Sequence, residues 1–241
     1  INWIKKYDSQ FLNLNNNYHD ISDFVKIGIN NNWSESYIEN LKEKTKHSNN
    51  ICPISLQTLS SFGIKVINLG LVTSPLLYFA AKKNKFKSGV MITGSHNPKE
   101  YNGIKLVIDD KPISGSDILD LIENNKVVEN PFLSEIVNVD IKDEYIKEVK
   151  KNLTIKKGTK IVIDCGNGAA GCIAPKLYKE LGCDVIELFS DVDGNFPNHH
   201  PDPGKIENLS HLIDEVKKTN AELGLAFDGD GDRVGLVTNE G

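Results

Sequence analysis

The chain has 241 residues, 39% of them hydrophobic and 25% charged, which is the balance of an ordinary globular protein of one or two packed domains. A formal net charge of −5 excludes the basic footprint of a nucleic-acid binder, and no apolar run approaches the roughly 18 residues that span a bilayer, so neither nucleic acid nor membrane is expected as a partner. The N-terminus lacks the order of a secretory signal, and Cys52, Cys165, Cys172 and Cys183 form neither a C-x-x-C pair nor a zinc-ligand spacing, so a soluble cytoplasmic protein with reduced thiols is expected.

Residues 1–50 hold 11 asparagines and keep neither helical nor strand periodicity for long, and this segment is read as degenerate or poorly ordered. From residue 63 onward short apolar runs alternate with helical stretches. The pattern predicts a strand over 65–69, a helix near 75–82 and a strand over 89–93. A loop over 94–102 follows, rich in turn formers, with Pro98 blocking any helix. The next strand, 103–108, puts Ile104, Leu106 and Ile108 on one face and Lys105 on the other, beside that loop. A short helix is expected near 116–124 with Ser116 as its N-cap. The apolar pattern thins after Pro131, which places a domain boundary near 131–140. A second series then runs as helix 143–152, strand 160–164, glycine turn, helix 174–181, strand 184–189, helix 208–219, strand 223–227 and strand 234–238. The βαβ order throughout defines an α/β fold.

Between the last two strands lie Asp228, Asp230 and Asp232, alternating with Gly229 and Gly231. A backbone bent sharply at the glycines can aim three carboxylates at one point, a crowding that a hard divalent cation relieves; oxygen-only ligands favour magnesium or calcium over zinc. A calcium EF-hand needs glycine at the sixth place of its twelve-residue loop and a bidentate acid at the twelfth, where this chain has Arg233 and Asn239. Flanking strands instead of helices also exclude it. Arg233 is the only arginine among 28 basic residues, and its position in the most acidic loop fits a planar fork that binds phosphate in two places. Ser95, in a turn between Gly94 and Asn97, is exposed enough to act as a nucleophile or to carry phosphate, although a local hydrogen bond with His96 is the ordinary role of such a pair.

Gly166, Gly168 and Gly171 also fit G-x-G-x-x-G between a strand and a helix, with Glu187 on the next strand, so a nucleotide-binding Rossmann-like domain is an alternative. His199 and His200, with prolines close by, read as a rigid loop.

Four segments taken together, residues 89–105 around Gly94-Ser95-His96-Asn97-Pro98, 164–171, 194–204 and 228–233, resemble in order and spacing the α-D-phosphohexomutases, and within them the phosphomannomutase/phosphoglucomutase group. The resemblance covers about residues 63–241. It implies two consecutive mixed-sheet βαβ domains, residues 1–135 as domain I with a phosphoserine loop and 136–241 as domain II with a metal loop, truncated so that domains III and IV are absent. It further implies that Ser95 is the phosphoserine and that Mg2+ is bound by its phosphate with Asp228, Asp230 and Asp232. Lys105 matches a general acid or base, a role that requires burial or neighbouring cations to bring its pKa toward the working pH; otherwise it is an electrostatic clamp on the phosphate. Arg233 and His96 would lie against phosphate. The implied reaction interconverts hexose 6-phosphate and hexose 1-phosphate, of mannose or glucose, through a bisphosphorylated sugar, with a phosphosugar as substrate and glucose 1,6-bisphosphate as activator. Departures from the family pattern also bear on function. Tyr7-Asp8 is followed by Ser9-Gln10 where the family has Ile-Arg-Gly, and the early arginines are missing. The chain as given is therefore expected not to turn over alone, and a non-catalytic mutase remnant is a further alternative.

Overall fold

The computed structural model describes residues 52, 55, 56, 59, 60, 64–83, 87–98, 101–114 and 134–241. The expected helix near 116–124 and the reading of residues 1–50 fall outside them. The described chain groups into two compact units, one drawn from Ile1–Asn68, Asn84–Thr93 and Asn102–Val139, the other from Leu69–Lys83, Gly94–Tyr101 and Asp140–Gly241.

In the first unit, β1 (Val66–Asn68) pairs in parallel with β5 (Ile136–Asn138), and β2 (Gly89–Ile92), β3 (Ile104–Ile108) and β4 (Lys111–Ile113) form an antiparallel sheet in that order. β4 and β5 have no counterpart among the expected elements, being three residues each with exposed positions. Lys105 is the second residue of β3, half-buried and in register with Met91. Leu106 and Val107 are the buried residues of that strand.

The second unit opens with α1 (Ser74–Lys83), which buries Leu76, Leu77, Ala80 and Ala81. Pro75 is compatible with the first turn of a helix, where an N–H has no partner to give up. Beside α1 lies α2 (Lys142–Asn152), with the rings of Phe79 and Tyr145 edge to face at 5.3 Å and Lys83 paired to Glu144 at 2.8 Å. The sheet of this unit runs β7-β6-β8-β9, built from β6 (Lys160–Asp164), β7 (Asp184–Leu188), β8 (Leu223–Phe227) and β9 (Val234–Thr238). The first three are parallel and β9 closes the edge antiparallel to β8.

Strand alternation builds a core on each face of this sheet. On one face Val162 and Ala226 pack with Leu212 and Val216 of α4 (Ser210–Thr219), which a 3-10 turn at Ile206–Leu209 precedes. On the other, Ile161, Ile163 and Leu225 pack with Ala170 and with Ala174 of α3 (Ala174–Glu180). Val162 and Ile163 are wholly buried, so the central strand is covered on both sides. The chain moves from β6 to β7 on one side and then crosses to β8 on the other. Such a reversal of strand order opens a crevice at the carboxyl ends of the parallel strands, where ligands of open α/β sheets bind. Asp164 and Asp228 stand at the ends of β6 and β8. Among the described residues, no helix is long and apolar enough to cross a membrane.

Candidate active site

The turn from β8 to β9 brings the three acids together. One carboxylate oxygen from each of Asp228, Asp230 and Asp232 lies within 4.8 Å of the others; the first two residues are buried and the third exposed. The turn is held by its own first residue. Asp228 Oδ1 accepts the backbone N–H groups of Asp232 and Arg233, both at 3.0 Å, and Oδ2 accepts Nε–H of Arg233 at 2.9 Å. Burial pushes the Asp228 carboxyl above the usual carboxylate range, opposed by the Arg233 amide and reinforced by the neighbouring charge of Asp230.

The 94–101 loop belongs to the same unit. Its turn is closed by Asn97 N–H to the Gly94 carbonyl at 2.9 Å, and Ser95 takes a left-handed conformation, φ 53°, which costs a non-glycine residue energy and recurs at functional positions. The Ser95 hydroxyl lies 3.5 Å from Asp228 Oδ2 and 3.4 Å from Asp230 Oδ1, with His96 Nδ1 at 3.3 Å. These are loose hydrogen bonds, and a single O–H donates to one carboxylate at a time. The Asp228 oxygen nearest Ser95 is the one that Arg233 also holds.

Gly229 makes this approach possible. A Cβ there would collide with the backbone carbonyl oxygen of Ser95, and on its other side Gly229 O accepts the Ala169 N–H at 2.8 Å. Arg233 reaches from Asp228 to Asp202 Oδ1, 3.5 Å from Nη1. Its Nη2 is buried and lies 2.9 Å from Asp228 Oδ2, so this edge of the guanidinium is held against the acid, while the side chain as a whole remains 41% exposed.

A divalent cation fits this donor set. It is oxygen-only, it crowds like charges in a partly buried turn, and a phosphate on the Ser95 oxygen would stand beside two carboxylates, one of them paired with Arg233.

The glycine turn after β6 offers an anion little. The N–H groups of Gly166, Asn167, Gly168, Ala169 and Gly171 donate to Asp164 Oδ1 and to the carbonyls of Phe189, Cys165, Gly229 and Gly168. Glu187 is paired with Lys179. The amides that would cradle a pyrophosphate are committed within the protein, which removes the basis of the nucleotide-binding alternative.

Behind the acidic turn, the loop ending at Gly204 is anchored by a buried ion pair that sequence spacing does not reveal. His199 Nε2 donates to Asp164 Oδ2 at 2.9 Å, with Oδ1 at 3.1 Å, and Nδ1 faces the His200 carbonyl at 3.0 Å. Both ring nitrogens face acceptors, an arrangement that favours the protonated ring. Phe189 and His211 are its ring neighbours, at 5.4 and 6.1 Å. The hydrogen bond to Asp164 raises the His199 pKa against the opposing effect of burial. Relative to an unfolded histidine near about 6.5, this contributes stability that is full below that value and lost as pH rises through the higher folded value. Urea unfolding of the wild-type chain and of His199→Gln at pH 6 and at pH 9 should show a gap between them that narrows on going alkaline. A gap independent of pH would show that His199 carries no extra proton.

Domain I of the phosphoglucomutase/phosphomannomutase family, an alpha/beta/alpha domain, matches residues 45–128, and domain II of the same family matches residues 143–241. A phosphomannomutase/phosphoglucomutase of Pseudomonas syringae pv. tomato is 54% identical over 189 residues, 77% of this chain and 40% of that protein. A phosphoglucomutase of Neisseria gonorrhoeae is 48% identical over 186 residues, 76% of this chain and 40% of that protein. Among solved structures, a phosphoglucomutase/phosphomannomutase family protein of Burkholderia thailandensis superposes with a TM-score of 0.73 at 38% identity, covering 80% of this chain and 44% of that one. The chain belongs to the phosphohexomutase superfamily and carries its domains I and II. It spans about 40% of the length of the curated relatives it matches.

Proposed function

We propose that the protein is part of a phosphohexomutase that interconverts hexose 6-phosphate and hexose 1-phosphate of glucose or mannose, with Ser95 as its phosphate carrier. The observation that carries this reading is the Ser95 hydroxyl at 3.4 and 3.5 Å from two buried acids of one metal-type cluster. The names of relatives such as those of Pseudomonas and Neisseria support the reaction class and a phosphosugar as substrate.

Asp228, Asp230 and Asp232 would hold Mg2+, which when bound neutralises charge on the phosphoryl group. In the forward step the bond between phosphorus and the Ser95 oxygen breaks and a new one forms to a free sugar hydroxyl, whose proton is taken up by a base while the Ser95 oxygen regains one. The product is a bisphosphorylated sugar. After it turns end for end, Ser95 attacks its other phosphate and the carrier is restored, so glucose 1,6-bisphosphate serves as the activator that primes the serine. Arg233, whose side chain is 41% exposed, would neutralise charge on the equatorial phosphoryl oxygens, where most of the catalysis of phosphoryl transfer lies. His96, next to the Ser95 oxygen, would donate to the phosphate, and Lys105 is assigned the proton transfer by resemblance.

Priming can be read on this chain directly. Incubation with glucose 1,6-bisphosphate and magnesium, followed by peptide mass spectrometry, is expected to place one phosphate on Ser95 and none anywhere in Ser95→Ala. Absence of phosphate from the folded wild-type chain would overturn the reading and favour a non-catalytic remnant.

A further inference from the structure

We propose that Ser74 is the positioning residue of the acidic cluster, fixing which oxygen of Asp230 faces the cation and Ser95. The inference rests on the reading of the three acids as a cation site and adds a residue that no motif marks.

Ser74 is the first residue of α1 and is completely buried. Its hydroxyl donates to Asp230 Oδ2 at 2.6 Å and its N–H donates to the Asp230 carbonyl at 3.0 Å, so one residue grips another 156 positions away by side chain and main chain together. A serine at a helix start ordinarily caps the amides of its own first turn. Here those amides are served otherwise. Leu76 and Leu77 donate to the Thr73 carbonyl at 3.0 and 3.3 Å, and Pro75 has no N–H, which releases the Ser74 hydroxyl for Asp230.

The choice of donor has a chemical consequence. With Oδ2 held by a short bond, Oδ1 is the oxygen presented to Ser95, at 3.4 Å. A hydroxyl orients the carboxylate without cancelling its charge, whereas a lysine or arginine in the same place would compete with the cation. Partners of this kind, which aim a metal ligand without touching the metal, typically matter by about 10- to 100-fold in metal affinity. Thr73 closes the same corner. Its side chain lies 2.9 Å from where a Cβ would stand on Gly231, whose φ is +71°.

The test is a Mn2+ titration of the 241-residue chain, followed by electron paramagnetic resonance, with melting temperature measured in the absence of metal. Ser74→Ala is expected to weaken Mn2+ binding about tenfold or more, and Ser74→Thr, which keeps the hydroxyl, to bind within a few-fold of wild type. Rescue by threonine separates positioning from loss of packing. Should the alanine variant not fold, Ser74→Cys fills nearly the same space with a weak donor and is expected to show the same loss. Wild-type affinity in Ser74→Ala or Ser74→Cys, or a threonine variant as weak as alanine, would overturn the proposal. Asp230→Asn tells the two levels apart: if it too binds Mn2+ like wild type, the cation reading itself falls.

Discussion

Asp228→Ala is expected to destabilise the folded chain by about 3 kcal/mol and to abolish its stabilisation by magnesium. The wholly buried Asp228 carboxylate accepts two backbone N–H groups through one oxygen and the Arg233 side chain through the other. Removing it strands three donors, and breaking a buried charge pair costs about 3–5 kcal/mol. The low end applies because the Arg233 side chain is 41% exposed and solvent can take over part of its pairing. An opposite effect has to be weighed, since deletion also relieves the crowding of Asp228 against Asp230. That relief is the smaller quantity, because the crowding is already offset by the guanidinium and two amides on Asp228, all of which are lost with it. Magnesium sharpens the test. A ligand that binds only the folded state adds about 2.7 kcal/mol when present at a hundred times its Kd. Urea titrations with and without magnesium should therefore separate for wild type and coincide for Asp228→Ala; a variant that still gains stability from magnesium would remove Asp228 from the cation site.

Gly229→Ala should do comparable damage by geometry alone. The added methyl would collide with the Ser95 carbonyl oxygen and stand 3.6 Å from Pro201. The colliding partner is main chain, so no rotamer change relieves the overlap, and overpacking of this kind costs about 1–3 kcal/mol. The functional loss is expected to exceed the loss of stability. Forcing the two loops apart moves the Ser95 oxygen from the acids, and a misplacement of about 1 Å can cost roughly a hundredfold in rate. Phosphate uptake at Ser95, timed by mass spectrometry below the melting temperature of the variant, checks this. An alanine variant that takes phosphate at the wild-type rate would mean that the approach of the two backbones is irrelevant to the chemistry.

Much of the fold was readable where the physics is local. Residues 160–164, 223–227 and 234–238 are apolar runs bounded by glycines, acids or turn formers, and their strands end where those residues end. Helix α4 begins at Ser210 instead of 208 because residues 206–209 form a tighter turn first. The strands that escaped notice, Lys111–Ile113 and Ile136–Asn138, are too short for alternation to register, and the second is recruited by pairing with Val66–Asn68, some 70 residues earlier. The site divides in the same way. Ser95 and the three aspartates were legible because each lies in a compact turn of unusual composition. Ser74, Asp202 and the pairing of His199 with Asp164 were not, since a buried polar residue whose partner lies 35 or 156 positions off leaves no spacing to detect. Nothing in Thr73-Ser74-Pro75 ahead of the helix points to a partner 156 positions away.

The Ser95 carbonyl rests on Gly229, so the serine turn and the acidic turn are aligned main chain to main chain. Alignment of that kind is indifferent to what the side chains hold. A hydroxyl can become a phosphate ester, or a hydrogen bond give way to an ion, while the spacing of the two turns stays as it was. Under the proposed phosphate transfer, the crevice would change its charge without having to be rebuilt at each step.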